Sequence, residues 1–124
     1  MSKNSKITTK KRKKANKRGQ LAEVFAATYL ILKGYKVLKR RYKTPLGEID
    51  LIVRKGKVIA FVEVKARKTL EDAAYSITDR QKKRIEGGAR VFLGNNPNYG
   101  EYFCRFDAIL VVPMGLPTHI TNAW

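Results

Sequence analysis

The chain of 124 residues contains one cysteine, one histidine and one tryptophan. Cys104 has no partner, which excludes an intrachain disulfide and any metal site built from paired thiols. It is expected as a small apolar core residue. His119 stands near the end of the sequence with no residue at ligand or nucleophile spacing, so it is read as structural or surface. No apolar run reaches the ~20 residues that span a bilayer. The stretch from Leu21 to Leu32 is interrupted by Glu23 and has no clear small-x-small cleavage site, which argues against a signal peptide. A soluble, cytoplasmic protein without membrane association is expected. Acid is scarce as well: 10 Asp and Glu face 27 Lys and Arg, a formal net charge of +17. A balance of this kind speaks to partners rather than to fold, and points first to nucleic acid.

The charge is divided unevenly. Residues 1–18 hold nine basic and no acidic residues, centred on Lys10, Lys11, Arg12, Lys13 and Lys14. They read as a disordered basic tail, either contacting nucleic acid or acting as a solvated arm. Residues 19–124 make one domain, which keeps a charge of +8 (18 basic minus 10 acidic residues).

Within that domain, residues 19–33 read as a helix. Leu21, Val24, Phe25, Thr28, Ile31 and Leu32 recur at i, i+3, i+4 spacing, and Gly34 is a terminator. Apolar nearly all round, this helix is expected to be largely buried. Residues 35–42, 48–53 and 57–66 read as strands, with Pro45, Gly47 and a Lys55-Gly56 turn between them. Residues 67–76 read as a loop and 78–93 as a second helix with Thr78 as N-cap, although Gly87-Gly88 weakens it. Residues 102–112 form a last strand and Pro113 begins a short tail. The order αβββαβ predicts an α/β fold with a mixed central sheet flanked by helices.

Asp50, Glu63 and Lys65 sit inside segments that otherwise read as buried strand. Burying a charge costs several kcal/mol unless it is paired or ligates a metal. Glu63 and Lys65 share a face because strand period is two. With Lys55-Gly56 as the turn, paired positions sum to 111, Asp50 lies opposite Phe61, and Glu63 is its diagonal neighbour on the same face. Two such carboxylates suit a hard cation, Mg²⁺ or Mn²⁺, that takes its remaining oxygens from water and a substrate phosphate. Lys65 would stabilise the pentavalent phosphate or help deprotonate the attacking water. The bland alternative is an ion-pair network or a solvated sheet face. Against it, residues 1–70 hold 21 basic residues and four acids, and three of those acids fall in this one hairpin.

Asp50, twelve intervening residues and Glu63-x-Lys65 resemble the motif of the PD-(D/E)xK nuclease superfamily, the restriction-endonuclease-like and Holliday-junction-resolvase-like fold. The resemblance is closer still to its YraN family. It rests on Ala22-Glu23, Gly34-Tyr35, Gly47-Glu48-Ile49-Asp50-Leu51-Ile52, Phe61-Val62-Glu63-Val64-Lys65-x-Arg67, Arg105-Phe106-Asp107 and Ile120-x-Asn122-Ala123-Trp124. It implies a restriction-endonuclease-like core, Asp50 and Glu63 as metal ligands, and Lys65 as catalytic base or electrostatic stabiliser. Glu23 would be an accessory acid. Many members carry Gly-Glu in place of Ala22-Glu23 and Lys-Gln near Gln81-Lys82.

Arg67 and the basic start of the late helix, Gln81, Lys82, Lys83 and Arg84, are candidate phosphate contacts; a solvated helix face is the other reading. Tyr42, Tyr75, Tyr99 and Tyr102 are candidates for stacking on bases. Asp107 is read as a partner of Arg105 or Arg67 in preference to a further ligand. The expected function is nucleic-acid binding with metal-dependent endonuclease hydrolysis of phosphodiester bonds, on DNA before RNA. A homodimer fits a domain of this size. A catalytically inactive binding module of the same fold, accessory to DNA repair or RNA processing, is the alternative.

Overall fold

A computed structural model describes residues 19–124. The basic run Lys10–Lys14, like the rest of the expected tail, lies outside the described residues. Residues 19–32 form helix α1, and Gly34 ends it as expected. Its φ of 94° is open to glycine at little cost, and the Tyr35 amide closes back on the Leu30 carbonyl at 3.0 Å. Strands β1 (Lys36–Thr44), β2 (Gly47–Lys55) and β3 (Val58–Ala66) follow as an antiparallel meander. After α2 (Leu70–Tyr75) and α3 (Asp79–Asn95) come a 3₁₀ turn (Pro97–Tyr99), β4 (Phe103–Val111) and β5 (Thr118–Ile120). The sheet runs β1-β2-β3-β4-β5, with β4 parallel to β3 and every other pair antiparallel. It is the mixed α/β core that the sequence predicts.

Helices cover both faces. On one, Ala22, Ala26, Ala27 and Leu30 of α1 pack against Leu51, Val53, Val62, Val64 and Ile109. On the other, Ile85, Ala89 and Phe92 of α3 pack against Ile49, Ile52, Ile59 and Phe61. The glycines that weaken the helix reading of 78–93 make this second contact. A Cβ at Gly88 would lie 3.1 Å from Ile49 Cγ1, one at Gly87 2.9 Å from the Leu46 carbonyl oxygen, and one at Gly47 1.9 Å from the Arg84 carbonyl oxygen. Helix α3 thus rests directly on the start of β2, fixing the strand that carries Asp50. At its N-terminus Thr78 and Gln81 form a reciprocal capping box.

Five expectations need correction, besides small shifts of element ends. The β2–β3 turn is Gly56-Lys57, so pairs sum to 113 (Leu51↔Val62, Ile52↔Phe61) instead of 111. Gly56 takes a φ of 59° at the first turn position, where a two-residue hairpin of the II′ kind places glycine. Helix α1 buries its alanine stripe and leaves the six-residue stripe of larger side chains facing outward. Close approach to the sheet favours the smaller residues. Part of the expected 67–76 loop is α2, capped by Thr69 Oγ1 accepting from the Asp72 amide at 3.1 Å. Part of the expected C-terminal tail is β5, and Cys104 is exposed on β4 instead of buried.

Candidate metal and nucleic-acid site

β2 and β3 diverge beyond Leu51↔Val62. Past that point β2 continues along β1 as far as Thr44↔Gly47, and β3 continues along β4 as far as Ala66↔Val111. Asp50 stands at the fork, and the alternation of faces breaks there: Ile49 packs toward α3 whereas Leu51 packs toward α1. The opening frees the Val64 amide from the ladder, and Asp50 Oδ2 accepts its hydrogen at 2.8 Å. The corrected register, carried one pair further, sets Asp50 directly across from Glu63. The ladder stops one pair short of them, and the bond from the Val64 amide holds Asp50 beside Glu63, so the expected proximity survives the register error.

Glu63 is buried and Lys65 nearly so, with Lys65 Nζ 3.2 Å from Glu63 Oε1. Burial raises the Asp50 carboxyl to about 7, and the neighbouring Glu63 adds to the rise; the Val64 amide and Lys65 oppose it only in part. Burial raises Glu63 as well, against the lowering effect of Lys65 and of a hydrogen bond with Asp50. Two neighbouring carboxyl groups whose charged forms are both disfavoured by burial would be relieved by a divalent cation between them. Among the described residues no cluster of three or more His, Cys, Asp or Glu side chains is arranged as a metal cage. Asp50 and Glu63 are oxygen donors only, the kind that a hard cation such as Mg²⁺ or Mn²⁺ would take.

Glu23, from α1, borders the same cleft of about 570 Å³ as Asp50, Glu63, Lys65 and Arg67. Its Oε2 accepts from Arg41 Nε at 2.7 Å. Arg41 holds a left-handed φ of 50° within β1, between the pairs Arg40↔Leu51 and Tyr42↔Ile49 and hence across from Asp50. Left-handed backbone at a non-glycine residue costs of the order of 1–3 kcal/mol and is tolerated chiefly where a site requires it. Arg41 escapes sequence reasoning because nothing marks an arginine in a basic strand as left-handed. Lys68 and Asp72 also line the cleft. Lys68 was legible as one more basic residue beside Arg67, but Asp72 depends on the unforeseen α2.

The other candidates lie elsewhere. Gln81 is engaged in the capping box, and Lys82 Nζ lies 3.9 Å from Asp79 Oδ1 and over the Trp124 ring. Lys83 and Arg84 border a separate depression with Leu46 and Arg80. Tyr42 and Tyr99 pack edge-on and stacked on Phe92, and Tyr102 packs on Tyr99; Tyr75 is exposed. Asp107 is fully buried and takes both a forked contact from Arg105 (2.8 and 2.7 Å) and one from His119 Nε2 at 2.8 Å. It is the structural partner of Arg105 that the sequence favours.

The fork and its flanking helices define a mixed α/β domain with a restriction-endonuclease-like core. A sequence model of the uncharacterised protein family UPF0102 matches residues 22–111. The chain is 47% identical over 119 residues to a UPF0102 protein of Bradyrhizobium diazoefficiens, covering 96% of this chain and 90% of that one. A UPF0102 protein of Rhodopseudomonas palustris is 52% identical over 106 residues, 86% of this chain and 81% of the other. One of Nitrobacter winogradskyi is 48% identical over 106 residues, 86% and 90% of the two chains. The chain belongs to the UPF0102 family, the YraN family of the resemblance above. No helix among the described residues is long and apolar enough to cross a membrane.

Proposed function

We propose that this domain is a divalent-metal-dependent endonuclease that binds nucleic acid, DNA in preference to RNA, through its backbone phosphates. The observation that carries the reading is the pair of buried carboxyls at the fork, Asp50 and Glu63, with Lys65 3.2 Å from Glu63 and a basic surround. Asp50 Oδ2 is engaged by Val64 and Glu63 Oε1 by Lys65, which leaves each carboxylate a second oxygen to offer a cation. Bound there, Mg²⁺ or Mn²⁺ would supply charge neutralisation at the phosphate and activation of a water.

Lys65 donates an ammonium proton toward the phosphate oxygens or, deprotonated, accepts one from the attacking water. Arg67 and Lys68 at the cleft edge hold flanking phosphates. Arg41 anchors Glu23 at the cleft as an accessory acid. Lys10–Lys14 and Lys82–Arg84 extend the contact with the nucleic-acid backbone. A cytoplasmic location accords with such a substrate.

The test is cleavage of labelled linear and branched DNA, and of RNA, with Mg²⁺ or Mn²⁺. Asp50→Ala and Glu63→Ala should each abolish cleavage and leave binding nearly intact, and binding should weaken steeply with salt. Metal-dependent cleavage that persists in both variants overturns the mechanism. Tight binding without cleavage by the wild type, under all these conditions, favours an inactive accessory module.

A further inference from the structure

Helix α1 has two apolar stripes, and the sheet takes one. The alanine stripe is buried, whereas Leu21, Val24, Phe25, Ile31 and Leu32 are between 44% (Phe25) and 82% (Leu32) exposed. Together with Thr28 they recur at i, i+3, i+4, i+7, i+10 and i+11, the spacing of one continuous helical face. The face carries no charge. Thr28 turns its hydroxyl back to the Val24 carbonyl at 2.9 Å, so even its polar atom is satisfied within the helix. Its N-terminal half borders a groove of about 710 Å³, closed on the other side by Ala66 and Val111–Pro113, with Arg67 and Lys68 as its only charged lining.

We propose that this stripe is the interface of a two-fold symmetric homodimer in which α1 packs antiparallel on α1 of a second copy. An uncharged stripe requires an uncharged partner, and nucleic acid does not meet that requirement. Nor do residues 1–18, which carry nine Lys and Arg and only Met1, Ile7 and Ala15 as apolar residues. A second copy presents the same stripe, and a two-fold axis makes one patch its own complement. The stripe is centred between Phe25 and Thr28, so antiparallel pairing sets Leu21 opposite the partner's Leu32 and Phe25 opposite the partner's Thr28. Helices packed this way lie about 8–10 Å apart. The five large side chains of the stripe together expose the equivalent of about three whole residues, and the adjoining groove wall extends that surface toward the roughly 800 Å² per partner of a standard interface. The inference stands apart from the nuclease reading, since no residue of the stripe is a site residue; the two surfaces meet only at Arg67 and Lys68, which border both groove and cleft.

The experiment is sedimentation equilibrium of the full chain at micromolar concentration in high salt, without nucleic acid. The expected mass is twice the 14.1 kDa of one chain. Phe25→Glu and Leu32→Glu should each return it to a monomer of unchanged circular dichroism. A second measurement does not depend on how those variants fold. In a Cys104→Ser background, Thr28→Cys should be crosslinked between copies by a short bismaleimide, and Glu101→Cys should not. A wild-type monomer throughout, or a dimer unaffected by Phe25→Glu and Leu32→Glu when both are folded, would overturn the proposal. So would a monomer whose α1 amides gain hydrogen exchange on removal of residues 1–18, which would make that segment the occupant.

Discussion

Asp50 and Asp107 are both drawn into the interior of one sheet, and their surroundings drive them in opposite directions. Burial alone would raise Asp107, but hydrogen bonds from His119, Arg105 and the Asn122 amide outweigh it and hold the carboxyl at about 2. Arg105 also reaches the Tyr35 hydroxyl at 2.7 Å. Lys33 Nζ, which can only donate, lies 3.1 Å from His119 Nδ1, so Nε2 carries the proton given to Asp107. Every acceptor position is answered from within the chain. Asp50 has one amide and a nearby lysine against burial and a second acid, and it rises to about 7. An acid whose needs are met internally is structure; one left short of positive charge is what the proposed metal site calls for.

The contrast can be broken at several points. Asp107→Ala should have the largest effect, a loss of about 3–4 kcal/mol in urea unfolding, because it leaves Arg105 and His119 facing an empty buried position. A loss below about 1 kcal/mol would remove Asp107 from the structural side of the comparison. The pH dependence follows in size. The Asp107 carboxyl is lowered from 3.8 to about 2 on folding, so its stabilisation is present above the unfolded value and is lost as pH falls from about 4 toward 2. At neutral pH this amounts to about 2 kcal/mol. The acid-unfolding midpoint of Asp107→Asn should lose that dependence, and a variant that unfolds along the wild-type pH curve would contradict it.

Asp50→Asn should act in the opposite direction. It removes a poorly compensated acid and keeps an oxygen for the Val64 amide, so the metal-free domain should gain about 1 kcal/mol, read as a higher Tm. Destabilisation would show that the Asp50 site is satisfied like the Asp107 site. Gln81→Ala should have the smallest effect, about 0.5–1 kcal/mol from loss of the capping box. It should leave nucleic-acid affinity unchanged, and a clear fall in affinity would return Gln81 to the binding surface.

Much of the site was legible because one short hairpin joins the strands that carry its acids. Asp50, Glu63 and Lys65 could be placed together from spacing alone, and moving the turn from Lys55-Gly56 to Gly56-Lys57 shifted the partners by two residues without separating the acids. The preference for glycine at the first position of such a turn would have given the correct register. Helix α1 was legible as a helix but not in its orientation. Hydrophobic periodicity favours the stripe with the larger side chains, whereas packing against a sheet selected Ala22, Ala26, Ala27 and Leu30. Arg41 and the fork between β2 and β3 were beyond reach, because a break in a ladder depends on what both neighbouring strands do. α2 and β5 span six and three residues, too short for periodicity to register.

The central claim is that Asp50 and Glu63 form a site for a divalent cation, and calorimetric titration with Mg²⁺ and Mn²⁺ in the absence of nucleic acid tests it most directly. The account predicts saturable binding in the wild type that Asp50→Asn and Glu63→Gln each remove. Absence of binding in the wild type, or equal binding in all three proteins, would contradict it.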